Sequence, residues 1–142
     1  MKIFISLMLV ILMFSSCRQA PYHAFPWKPY SKQAVEESVA HHKPVVIDFW
    51  AQWCPNCHEL DRSVFSRPDV QAKLAGVTAL RMDVTNQDDP AVQRMIDKYS
   101  IEGVPTIVFL NSRGKEINNA RIIGVVSPQE FLQALALSDI FK

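Results

Sequence analysis

Apolar residues in this chain follow several distinct rhythms. Ile3 to Phe14 is an apolar block broken by Ser6, and Val45 to Trp50 and Ile107 to Leu110 are short, β-prone runs. Such runs, rich in Val, Ile and Phe, are the pattern of strands covered on both faces. Val77 to Asp83 alternates toward another buried strand, and Glu116 to Ile123 is expected to pair with Ile107–Leu110 across a turn at Asn111-Ser112-Arg113-Gly114. Between these runs the spacing becomes helical. Ser31 caps a helix of about 11 residues, with Ala34, Val35, Ser38, Val39 and His42 on one stripe and both His41 and His42 in the last turn. Lys43-Pro44 ends it. A helix starting near Pro55 continues from Glu59 to Phe65, and Arg67-Pro68 restarts a short one through Leu74. Asp88-Asp89-Pro90 caps a helix running to about Tyr99, with Val92, Met95, Ile96 and Tyr99 inward. Ser127-Pro128-Gln129-Glu130 is a capping box for a last helix to about Leu137, with Phe131, Leu132 and Leu135 inward.

The first block is of another kind. Met1-Lys2 gives it a positive start, and Ile3 to Phe14 is shorter than the roughly 20 apolar residues that a membrane span requires. It fits the core of a signal peptide. The block ends in Phe14-Ser15-Ser16-Cys17, which resembles a bacterial lipobox with Phe14 where Leu is usual. The expected organisation is therefore a signal peptide at 1–16, a tether at 17–26 beginning at a lipidated Cys17, and a domain at 27–142. Arg18 after the cysteine favours the outer over the inner membrane. Pro21, Pro26 and Pro29 keep the tether extended, and Trp27 and Tyr30 are expected to pack onto the domain as a lead-in strand.

Composition narrows the class. A chain of 142 residues, 49% hydrophobic and 20% charged, is long enough for one domain with a real core. A formal net charge of +1 gives no general attraction to nucleic acid, and there is neither a phosphate loop nor a repeat. Three cysteines are too few for a disulfide scaffold, and Cys17 stands apart from the other two.

Those two, Cys54 and Cys57, follow the strand Val45–Trp50 directly, with Pro55 at a first helical position where its missing N–H is no loss. Three chemistries use this spacing. Dithiol–disulfide exchange needs a thiolate stabilised by a helix start and a second thiol one turn away. Haem attachment uses Cys-x-x-Cys-His, which Cys54 to His58 matches literally, with Met82 or Met95 as distal ligand. Zinc would need further ligands from the histidines, and no second Cys-x-x-Cys or spaced His pair supplies them. Asp48 interrupts the apolar strand. A carboxylate there is expensive to bury, and such groups usually have raised pKa values and a function.

The stretch Val-Val-Ile-Asp-Phe-Trp-Ala-Gln-Trp-Cys-Pro-Asn-Cys resembles the active-site strand and turn of the thioredoxin superfamily. Ser31-x-x-Ala34, Lys43-Pro44, His58-Glu59-Leu60 and Phe65-Ser66-x-Pro68-x-Val70 extend the likeness to the C-terminal thioredoxin-like domain of DsbD-type thiol:disulfide interchange proteins, over about residues 27–137. The resemblance implies an α/β, thioredoxin-like fold, a mixed central β-sheet flanked by helices on both faces. It makes Cys54 the nucleophile, Cys57 the resolving thiol and Asp48 the buried carboxylate that moves a proton to or from Cys57. Trp53 would border the site and Pro55 would lie between the thiols. Val104-Pro105 would carry a cis bond facing the pair and present backbone to the substrate, and Gly124 would lie beside the substrate groove. The family often places a lysine near the buried carboxylate on the next strand. The matching position here is read as Ala79, which leaves Asp48 without an ion-pair partner.

The function this implies is exported, membrane-tethered thiol–disulfide exchange on protein disulfides or dithiols, on the periplasmic side, with no cofactor and no metal. Pro55-Asn56 lacks the histidine found between the cysteines of strong oxidants, which favours a reductant or electron relay supplied by a transmembrane electron donor. An oxidase or isomerase of the same fold, a c-type haem protein and a non-catalytic binding module are the alternatives.

Overall fold

The computed structural model describes residues 24–137; the expected signal peptide, Cys17 and most of the tether lie outside them. Five strands form one sheet in the order β1-β3-β2-β4-β5, with ranges β1 Lys28–Pro29, β2 Val45–Trp50, β3 Thr78–Asp83, β4 Thr106–Leu110 and β5 Ile122–Ile123. β1 and β2 run parallel to β3, whereas β4 is antiparallel to both β2 and β5, so the sheet is mixed as expected. The helices are α1 Lys32–Ala40, α2 Pro55–Leu60, α3 Pro68–Leu74, α4 Pro90–Tyr99 and α5 Pro128–Leu137.

β2 sits at the centre, and its apolar run is explained by burial on both sides. Val46 joins Leu60, Val64, Phe65, Leu74, Phe109 and Phe131 in one core, beneath α2, α3 and α5. Val45, Ile47 and Phe49 join Leu80, Val92, Tyr99 and Val108 in the other, with Ala34 and Val35 of α1 packed against it. Both cysteines belong to this second core.

The caps read from the sequence are formed. Ser31 accepts the Ala34 N–H, Asp89 accepts the Ala91 N–H, and Ser127 and Glu130 exchange both bonds of the capping box. The lead-in strand is formed too: β1 pairs with β3, and the Tyr30 N–H donates to Arg81 O at 2.8 Å. Phe25, placed at the end of the tether, packs edge-on to Trp27 with ring centroids 4.9 Å apart.

Three elements differ from expectation. α1 stops at Ala40, and His42 takes a left-handed φ of 52° after it, so both histidines are exposed beyond the helix rather than in its last turn. The helix after Cys57 changes to a π turn over Asp61–Phe65. Ser63 Oγ donates to Glu59 O and Ser66 Oγ to Arg62 O, side-chain bonds of the sort that loosen regular helical pairing. Finally, the strand expected from Glu116 to Ile123 is reduced to β5 and a single bridge at Glu116, with a 3-10 turn over Asn118–Ala120 between them. Asparagine is poor in strands, and Arg121 pulls this segment toward α4, pairing with Glu116 at 2.7 Å and donating to Tyr99 O at 2.8 Å.

Candidate active site

β2 ends at Trp50, the Cys54 N–H turns back onto Ala51 O at 3.1 Å, and α2 begins at once. Cys54 is the N-cap of α2. Its Sγ accepts the Cys57 N–H at 3.1 Å, where a helix start offers unpaired donors. Pro55 follows at the position that needs no donor. Cys54 and Cys57 are joined by a disulfide, with Cα atoms 5.3 Å apart. Only 3% of Cys54 and 1% of Cys57 are exposed, while Pro55 and Asn56 between them face solvent.

Around the pair the loop is pinned. Trp53 is 55% exposed, yet its Nε1 donates to Thr85 O, and the Gln52 N–H donates to Thr85 Oγ1. Thr85 Oγ1 in turn donates to Asp83 Oδ1. His58 places Nε2 2.8 Å from Gln52 O and its ring edge-on to Trp50. The Val104–Pro105 bond is cis, Pro105 is buried, and Val104 packs against the core that holds the cysteines. The Gly124 N–H donates to Pro105 O at 2.9 Å. Gly124 has a φ of 85°, and a Cβ added there would touch nothing within 4 Å. The glycine therefore answers to backbone conformation rather than to crowding.

Asp48 is 1% exposed, as its place in β2 requires. It does have a cation. In the parallel register Val46 stands opposite Ala79 and Asp48 opposite Arg81, so the strand residue facing the carboxylate lies two positions beyond the one inferred from sequence. Arg81 Nε donates to Asp48 Oδ2 at 2.8 Å, and its Nη2 lies 2.7 Å from the same oxygen. Arg81 also pairs with Asp61 at 2.5 Å. Asp61 is four residues after Cys57 and opens the π turn, so one guanidinium links the carboxylate of β2 to the helix that carries Cys57. Burial pushes Asp48 up to about 6, against the lowering effect of Arg81. Burial alone would lower Arg81, but Asp61 and Asp48 outweigh it and raise the guanidinium further. A cation shared between two acids neutralises neither completely, which is why desolvation prevails at Asp48.

Sequence reasoning missed Arg81 and Asp61. The alternation of Ala79, Arg81 and Asp83 on one face of β3 was the available signal, and the choice among them required the strand register.

A family model for a thioredoxin-like domain matches residues 31–138. The chain belongs to the thioredoxin-like family. DsbD of Photorhabdus laumondii, a thiol:disulfide interchange protein, is 39% identical over 94 residues, covering 66% of this chain and 16% of that protein. The chain thus spans about a sixth of the length of such relatives. The reduced DsbD C-terminal domain of Neisseria meningitidis superposes with a TM-score of 0.67 at 27% identity, over 75% of this chain and 92% of that one. A thioredoxin from Thermus thermophilus gives 0.66 at 28% identity, over 81% and 87%. The thioredoxin-like fold and the DsbD-like resemblance are both borne out. The chemistry such a pair carries is thiol–disulfide interchange, holding two electrons as dithiol and releasing them as disulfide.

Proposed function

We propose that this protein is a thiol:disulfide oxidoreductase acting as a reductant or electron relay, exported and tethered to the periplasmic side of a membrane through Cys17. The observation that carries the oxidoreductase reading is the Cys54–Cys57 disulfide at the N-cap of α2. In the reduced protein, Cys54 attacks one sulfur of a substrate disulfide. A mixed disulfide forms, and the departing substrate thiolate takes a proton. Cys57, losing its proton to the buried carboxylate Asp48, then attacks Cys54 Sγ. The second substrate thiol leaves and the Cys54–Cys57 disulfide closes, so two electrons have passed to the substrate. Trp53 and Pro55 frame the approach, and Val104, Pro105 and Gly124 form the opposite wall against which a substrate chain lies.

Pro55-Asn56 supports the reductive direction, as does the likeness to DsbD-type interchange proteins. In an oxidising compartment a reductant must be re-reduced, which calls for a membrane electron donor. Among the described residues no helix is long and apolar enough to cross a membrane, so that donor would be a separate protein or a separate segment. The deciding measurement is the redox potential of the Cys54–Cys57 pair. A value near about −270 mV, that of thioredoxin, supports a reductant, and one near about −120 mV reverses the direction. Mass spectrometry of the mature N-terminus tests the tether: an unmodified terminus at another residue removes Cys17 from the proposal.

A further inference from the structure

Among the described residues three buried side-chain polar atoms have no hydrogen-bond partner: Trp27 Nε1, Asp48 Oδ1 and Trp50 Nε1. All three belong to side chains that contact Arg81. Its guanidinium lies 5.1 Å from the centroid of Trp27 and 5.2 Å from that of Trp50, and it holds Asp48 and Asp61 by ion pairs. Unpartnered polar atoms are uncommon in protein interiors, and their grouping around one cation calls for an explanation. On the solvent side, a cleft of about 500 Å³ is lined by Phe25, Pro26, Trp27, Pro29, Arg81 and Asp83. Trp27 lines this cleft beside Arg81, its indole lying against the guanidinium where the cluster reaches the cleft. Its other contacts fix it there: edge-on packing against Phe65 at 5.0 Å and Phe25 at 4.9 Å, with β1 pairing immediately after it.

We propose that Trp27 is a positioning residue for the proton chemistry of the site: its indole lies over one side of the Arg81 guanidinium at the cleft, and so limits the water that reaches Asp48 behind it. The lead-in segment is then part of the active-site apparatus rather than a spacer. Covering the cluster matters because a carboxylate without water is a stronger proton acceptor, and Asp48 Oδ1 is the atom left free to take a proton. The charged groups facing Asp48 are Arg81 from β3 and Asp61 from the π turn. Asp83 borders the cleft, and His58 stands edge-on to Trp50.

The inference deepens the thiol-exchange reading, and its test is read without substrate. Carbon-detected NMR of labelled aspartate carboxyls follows Asp48 directly. In Trp27→Ala, water reaches the cluster and the proton affinity of Asp48 falls at least tenfold. In Trp27→Phe, which keeps an aromatic cover, it stays within threefold of wild type. An unmoved titration in folded Trp27→Ala overturns the proposal. If that variant does not fold, hydrogen exchange in the wild type decides: the Trp27 and Trp50 indole protons exchange at least tenfold more slowly than the indole proton of a free tryptophan peptide at the same pH, and equal rates overturn the cover. Loss of exchange activity in the wild type, with the Asp48 titration still sensitive to Trp27, would remove the enzyme reading and leave the cover standing. The reverse pattern would remove the cover alone.

Discussion

Asp48 and Arg81 face each other across adjacent parallel strands, joined by Nε and Nη2 to a single carboxylate oxygen at 2.8 and 2.7 Å. The pairing does not suffice to keep the acid ionised at its ordinary pKa, because burial is complete and the guanidinium is shared with Asp61. Burial therefore pushes Asp48 up to about 6 in the fold, against 3.8 for an ordinary aspartate. Between those values the folded protein holds a proton that the unfolded chain has released. Stability then falls as pH rises from about 4 to about 6 and levels off above, by on the order of 3 kcal/mol at about 1.4 kcal/mol per unit. Asp48→Asn should remove this slope and unfold at higher urea concentration than wild type at pH 8, while slowing disulfide exchange. Urea titrations at pH 4, 6 and 8 measure it, and a slope surviving in the variant would assign it to another group.

Arg81 should tolerate replacement poorly. Arg81→Met leaves buried Asp48 beside half-buried Asp61 without a cation, and breaking a buried pair from one side costs about 3–5 kcal/mol. The proton affinity of Asp48 should rise with it, since the coulombic effect of Asp61 already pushes upward. The loss should be largest at pH 8, where Asp48 is ionised, and smaller at pH 4, where it holds its proton. Equal losses at the two pH values would mean that Arg81 contributes packing over Trp27 and Trp50 rather than charge.

The two cysteines should separate by role. Cys54→Ser should abolish reduction of insulin disulfides by dithiothreitol-primed protein. Cys57→Ser should retain the first attack and accumulate mixed disulfides with substrate, visible as adducts in non-reducing mass spectra. The opposite assignment, with adducts only in Cys54→Ser, would reverse nucleophile and resolving thiol.

How much of this was legible in the sequence follows from the range of each signal. β2, the N-caps at Ser31, Asp89 and Ser127, and the Cys54–Cys57 turn depend on neighbours within a few positions, and each formed where the pattern placed it. The Asp48 pair depends on register between residues 33 positions apart. Ala79 and Arg81 share a face of β3, so alternation could not choose between them. The π turn was hidden because Leu60, Val64 and Phe65 satisfy an α-helical apolar stripe equally well. β5 fell short of its expected length because a local asparagine pair and the Arg121–Glu116 contact outweighed a weak strand pattern.

The core beneath the active-site helix offers a check on the fold itself. Phe131 of α5 is fully buried, edge-on to Phe65 at 5.4 Å and tilted against Phe109 at 6.2 Å, so it joins the last helix to the π turn and to β4. Trp27 rests on Phe65 in the same aromatic series. Truncation to Ala removes apolar contact and leaves a cavity that neighbouring rings cannot fill, a loss of about 3–5 kcal/mol. Phe131→Leu, which keeps most of the volume, should cost less than half as much. Both are read as midpoint shifts in urea at unchanged slope. A Phe131→Ala loss below about 1 kcal/mol, within the range of surface substitutions and small relaxations, would mean that α5 does not pack on this core.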